Sequence, residues 1–199
     1  MKEKKDSIKS KKFQEITETA YDLFMRHGIK RITIEEICRT AGVSKMTFYK
    51  YFENKNSIAI SILDNIFTKA EKQYQDIMAQ EILYSEKVKD IIKLKMEASK
   101  DVSKEMLHDL WHNPVPEVAD YMQKRTQATL KLFLEDMIAA QIKGEIRPNI
   151  NPHFILYFIG VMQNMTNDDK LLSLYETSQD LASELVNFFF YGILTRENE

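Results

Sequence analysis

Apolar residues recur at helical spacing along almost the whole chain. Phe13, Ile16, Ala20, Leu23 and Phe24 form the first stripe, and steps of three and four residues place side chains on one helix face. The stripe predicts a helix over about 11–27, stopped by Gly28 in a left-handed conformation. Ile34, Ile37 and Ala41 make a second stripe of about two turns. Thr33 precedes it as an N-cap, and Glu36, three residues on, fits a capping box. Gly42 ends this helix and Ser44 caps a third. Helix, glycine turn, short helix is the outline of a helix-turn-helix.

Asn54 is a plausible cap for a fourth helix, whose stripe of Ile58, Ile62, Ile66 and Ala70 runs to about residue 80. Residues 85–112 read as one further helix. Pro114 and Pro116 break it, because proline lacks the amide donor and clashes with the preceding turn. A long helix follows over about 117–143, then a turn in KGEIRPNINP. Two strongly apolar helices, about 152–166 and 178–194, close the chain. Five glycines and four prolines in 199 residues are too few for a strand-rich chain, so the expected fold class is all-α. The opening MKEKKDSIKSKK is expected to be a frayed basic tail.

Composition sharpens this picture at three points. The single Cys38 rules out an internal disulfide and fits a quiet, partly buried thiol in a reducing compartment. The start is charged with no apolar run behind it, unlike a signal peptide, and the longest apolar run, FILYFIGVM, is about half of a membrane span. A soluble, cytoplasmic protein is expected. The net charge of −2 hides an asymmetry: residues 1–60 carry 13 Lys+Arg against 8 Asp+Glu, and residues 61–199 carry 15 against 22. A basic end on an acidic body suggests that this end meets a polyanion.

The densest chemistry lies in GVSKMTFYKYFENK, residues 42–55. On a helical wheel Phe48 and Phe52 share one face and can pack, with Val43, on Ile34 and Ile37. Lys50 points the other way between Met46 and Thr47, with Lys45 and Tyr49 on one flank and Tyr51 on the other. Lysine can donate to phosphate or guanine, hydroxyls to phosphate, and Met46 can meet a thymine methyl. A solvated amphipathic helix would also fit, but the capped helix and glycine turn in front favour DNA.

Residues 13–67, with AYDLFMRHGIKRITIEEICRTAGVSKMTFYKYFENKNSI, resemble the N-terminal DNA-binding domain of TetR/AcrR-type transcriptional regulators. The resemblance implies phosphate or base contacts by Thr33, Ser44, Lys45, Met46, Thr47, Tyr49, Lys50, Tyr51 and Lys55. Relatives often carry a small residue or proline where Met46 stands. Lys2 to Lys12 reads as a solubilising tail, with a minor-groove or phosphate contact as the alternative.

Residues 1–55 are thus expected to be the DNA-binding domain and 56–199 a helical regulatory and dimerisation domain. The segments FILYFIGVM and VNFFFYGIL are apolar around most of their circumference, which calls for cover on several sides. A homodimer through the last two helices supplies it, with Gly160 and Gly192 allowing close approach. The expected function is a regulator, in the first instance a repressor, released from a near-palindromic double-stranded operator by a small-molecule effector. Met106, Trp111, Tyr121, Phe133, Met137, Met162 and Met165 are the candidate effector-pocket residues, since thioethers and rings suit an apolar ligand. Two other readings compete. One is a metal-dependent helical enzyme using Glu105, His108 and His112, spaced for one helix face. The other is a helical adaptor binding acidic protein. No second Glu-x-x-His, G-x-S-x-G, P-loop or dinucleotide glycine pattern appears, so no cofactor, metal or catalytic residue is expected.

Overall fold

The computed structural model describes residues 2–99, 102–165 and 168–193, the side chains of residues 2–10, 96, 99, 163, 164, 169, 178 and 179 excepted. It is all-helical among the described residues, with α1 (Lys2–His27), α2 (Ile34–Thr40), α3 (Lys45–Phe48), α4 (Lys55–Met78), α5 (Tyr84–Ser99), α6 (Lys104–Trp111), α7 (Pro116–Ile142), α8 (Pro152–Met165), α9 (Asp169–Leu172) and α10 (Ser178–Ile193). No described helix is long and apolar enough to cross a membrane.

Caps set most of the boundaries. Asn54 Oδ1 accepts the Ser57 N–H at 2.8 Å, and Ser57 Oγ accepts the Asn54 N–H at 3.2 Å. This reciprocal pair starts α4 as a capping box does. Thr177 and Asp180 make the same exchange before α10. Pro116 and Pro152 open α7 and α8, where a missing N–H costs nothing. Gly28 and Gly42 close α1 and α2 with φ of 79° and 63°, values that suit glycine.

Three expectations change. The opening basic segment is the first part of α1 rather than a frayed tail, as its run of lysine and glutamate, good helix formers, allows. Residues 85–112 are two helices, because Ser103 Oγ accepts the Met106 N–H at 3.1 Å and starts α6 afresh. A short α9 stands before the last helix.

Packing divides the chain into two compact units, Met1–Ala70 with Asp101–Arg125, and Glu71–Lys100 with Thr126–Glu199. This differs from a linear division at residue 55. In the first unit α1, α2, α3, the start of α4, α6 and the start of α7 share one core. Ile16, Phe24, Ile37, Phe48, Ile58, Met106 and Val118 meet there, all but sealed from solvent. In the second unit Tyr84 and Val88 of α5 pack with Met137 of α7, Ile155 of α8, and Phe189 and Phe190 of α10.

Candidate nucleic-acid interface

Two caps fix the backbone of the helix-turn-helix. Thr33 Oγ1 accepts the Glu36 N–H at 3.1 Å. Ser44 Oγ accepts the Thr47 N–H at 3.1 Å and lies 2.9 Å from the Thr47 hydroxyl. Between them, the Val43 N–H bonds to the Cys38 carbonyl across Gly42. Cys38 itself is buried, and burial pushes its thiol pKa up, so it is a packing residue.

The recognition element is shorter than two α-helical turns. Only Lys45–Phe48 is α-helical. The Lys50 and Tyr51 N–H groups bond to the Thr47 and Phe48 carbonyls, three residues back, before Phe52 returns to a four-residue step. The tighter winding rotates the later side chains relative to an α-helical wheel.

Phe48 and Phe52 are the inner anchors. Both are buried, with their rings 5.6 Å apart, and Phe52 stacks on Phe13 at 5.3 Å. On the outer side, Met46 is 71% exposed and Tyr49 54%, beside exposed Thr33, Ser44, Lys45 and Lys50 and half-buried Thr47. Tyr51 is turned inward. Its ring stands edge-on to Phe13 at 5.8 Å and packs on the core, which leaves the residue half-buried beside the outer side.

Two lysines are engaged within the domain. Lys45 Nζ donates to the Glu35 carboxylate across the turn, which holds Glu35 below and Lys45 above their usual ranges. Lys55 Nζ donates to the Lys30 and Ile32 carbonyls at 2.9 and 2.8 Å, and burial lowers its pKa. With two of three protons spent on the backbone, Lys55 ties the α4 start to the segment leading into Thr33. The expected phosphate contact is left with one proton. On the other side of this segment, Asp109 Oδ2 accepts the Lys30 N–H at 2.8 Å. Spacing alone did not reveal Glu35 or Asp109. A carboxylate beside each turn was the only signal.

The candidate effector residues are divided between the two units. Met106, Trp111 and Tyr121 belong to the first unit, and Phe133, Met137, Met162 and Met165 to the second. Met106 and Met137 are 1% exposed. A side chain with no accessible surface presents nothing to a cavity that water can enter. Met162 is likewise buried, whereas Trp111 is half-exposed. The Tyr121 hydroxyl donates to Asp64 Oδ1 at 2.7 Å, and Phe133 packs edge-on to Phe190. Within the second unit a cavity of about 30 Å³ lies between α5 and α10, far below ligand size.

The alternative metal site also lacks a geometry. Among the described residues no three His, Cys, Asp or Glu side chains converge to hold a metal. The His108 and His112 rings stack at 5.5 Å. Glu105 and His108 instead line an open groove of about 460 Å³ with Lys30, Arg31 and Lys104.

Comparison with known proteins agrees with this architecture. Residues 16–62 match the family described as bacterial regulatory proteins, tetR family. Over 98% of both chains, the protein is 24% identical to YdgC of Bacillus subtilis (strain 168), described as an uncharacterized HTH-type transcriptional regulator. Two solved structures share the fold. A transcriptional regulator from Saccharomonospora viridis in complex with choline has a TM-score of 0.73 at 16% identity, covering 94% of this chain and 100% of that one. SmeT, the repressor of the Stenotrophomonas maltophilia multidrug efflux pump SmeDEF, has a TM-score of 0.71 at 13% identity, covering 92% and 91%. Residues 16–62 thus carry the helix-turn-helix segment of the tetR family of bacterial regulatory proteins, on a fold shared with solved regulators of transcription across nearly the whole length.

Proposed function

We propose that this regulator grips double-stranded DNA with the outer face of its helix-turn-helix, as a homodimer, and is a repressor released by a small-molecule effector. The observation that carries the DNA reading is the division of α3 and its flanks into two sides. Phe48 and Phe52 are buried while Lys45, Met46, Tyr49 and Lys50 stand exposed on a backbone pinned by the Thr33 and Ser44 caps. Met46 is mostly exposed, and Tyr49, although edge-on to Phe48 at 5.6 Å, keeps about half of its surface in solvent. Facing a groove, they and the lysines supply base-edge and phosphate contacts.

Dimerisation is supported by the second unit. Phe154 and Tyr157 of α8, and Phe188 and Tyr191 of α10, are exposed, the last three by more than 70%. A Cβ added at Gly160 or Gly192 would meet nothing of the same chain within 4 Å. Aromatic side chains on two neighbouring apolar helices are an interface in search of a second copy. Two recognition elements would then meet half-sites one helical turn, about 34–36 Å, apart.

The effector is suggested by the fold shared with a regulator solved in complex with choline, and repression by the fold shared with the repressor SmeT. Release requires the effector to prefer the conformer with low DNA affinity, since equal binding to both would change nothing. A mobility-shift titration of the protein on DNA upstream of its own gene tests the proposal. Tyr49→Phe and Lys50→Ala should each weaken binding, and Lys50→Ala should also flatten its salt dependence. Binding and slope unchanged in both would refute it.

A further inference from the structure

We infer that Glu35 is a specificity-determining residue for DNA recognition, acting through Lys45. This rests on the proposed recognition face. Glu35 lies in the first turn of α2 and Lys45 opens α3, ten residues later. Their side chains are 62% and 55% exposed, yet they reach across the turn to each other. The pair stands on the outer side, near Tyr49. A carboxylate on a phosphate-facing surface is unfavourable for generic DNA binding, so its presence calls for a function.

The chemistry of the ammonium group supplies one. Lys45 has three protons to donate. One goes to Glu35, and two remain for the groove. On sequence-neutral DNA a phosphate must compete with Glu35 for the same ammonium, against the repulsion of the carboxylate. At the operator, Lys45 can donate to a base acceptor such as guanine O6 or N7 while Glu35 still holds it. Glu35 therefore weakens the non-specific mode and aims Lys45 in the specific one. Lys50, on the same outer side, is left for phosphate.

The probes are a duplex selected from a random pool by the wild-type protein, and a scrambled duplex of equal length and composition. Glu35→Gln removes the charge with little change of shape, and Glu35→Ala serves as a second variant. Both should keep the wild-type circular dichroism, since the site is exposed. Glu35→Gln should tighten binding to the scrambled duplex by about 2- to 5-fold, the range of an exposed ion pair. It should steepen the log-affinity against log-salt slope on that duplex by up to about 0.9, as Lys45 gains a phosphate. Affinity for the selected duplex should hold or fall, so the specificity ratio drops at least about 2-fold. In a Lys45→Ala background the same substitution should leave the ratio unchanged. Equal shifts on both duplexes, or a ratio that rises, would overturn the inference while leaving the recognition face standing. A Lys45→Ala protein that binds both duplexes like wild type would remove both.

Discussion

Gly28→Ala is expected to cost far more than Gly42→Ala, although both glycines close a helix with positive φ. At Gly42 an added Cβ meets nothing within 4 Å. The substitution should therefore cost only the left-handed backbone penalty, about 1–2 kcal/mol. At Gly28 the Cβ would stand 2.6 Å from Asp109 Oδ2 and 3.2 Å from the Glu105 carbonyl oxygen. Asp109 cannot move away freely. Its side chain is 12% exposed and the same oxygen accepts the Lys30 N–H. Displacing it forfeits a hydrogen bond to a charged group, about 1.5–3 kcal/mol. The total at Gly28 is about 2.5–5 kcal/mol. Equilibrium urea unfolding at one fixed protein concentration, followed by circular dichroism, measures both variants, since a dimer's stability depends on concentration. A cycle with Asp109→Ala separates the two contributions: in that background Gly28→Ala should fall toward the cost seen at Gly42, with the Glu105 carbonyl contact remaining. Equal costs for the two glycines in the parent protein would refute the claim that Asp109 clamps the turn ahead of the recognition domain.

Other outcomes follow from single contacts. Phe48→Ala should destabilise by about 3–5 kcal/mol, being a fully buried ring, while Met46→Ala should leave the unfolding midpoint unchanged and weaken DNA binding. Lys55→Met should cost about 1.5–3 kcal/mol through its two carbonyl bonds, while the salt slope of DNA binding changes by less than the value of one phosphate. Phe188→Ser with Tyr191→Ser should shift sedimentation toward monomer. Burial and the Asp64 carboxylate raise the Tyr121 phenol to about 12. A phenol raised above its unfolded value of about 10 contributes stability that is whole below pH 10 and lost between pH 10 and 12. Tyr121→Phe should remove that part of the alkaline decline.

Legibility in the sequence followed the range of the interaction. Thr33, Ser44 and Asn54 were readable as caps because a cap bonds within three residues. Gly28 and Gly42 were readable as stops for the same reason. Tyr51, set on a flank by a wheel of 100° per residue, lies nearer the core because the three-residue bonds at Lys50 and Tyr51 wind the chain faster. Met46, before that change of winding, was correctly set outside. The resemblance marks Lys55 as a phosphate ligand, but its acceptors within the chain, backbone carbonyls 23 and 25 residues away, are ones no local pattern shows. The packing of the candidate effector residues was not legible for a related reason. Helical spacing says that Met106 and Met137 face inward, but not which core each enters. They fall in different units.

The central claim is that the exposed side of residues 45–50 meets DNA. The most direct measurement is the salt-dependent anisotropy of a selected duplex with wild type and with Lys45→Ala/Tyr49→Phe/Lys50→Ala. The account predicts an unchanged fold, affinity lowered by about 100-fold or more, and a slope smaller by roughly 0.9 for each phosphate the variant no longer neutralises. Wild-type affinity and slope in the triple variant would contradict it.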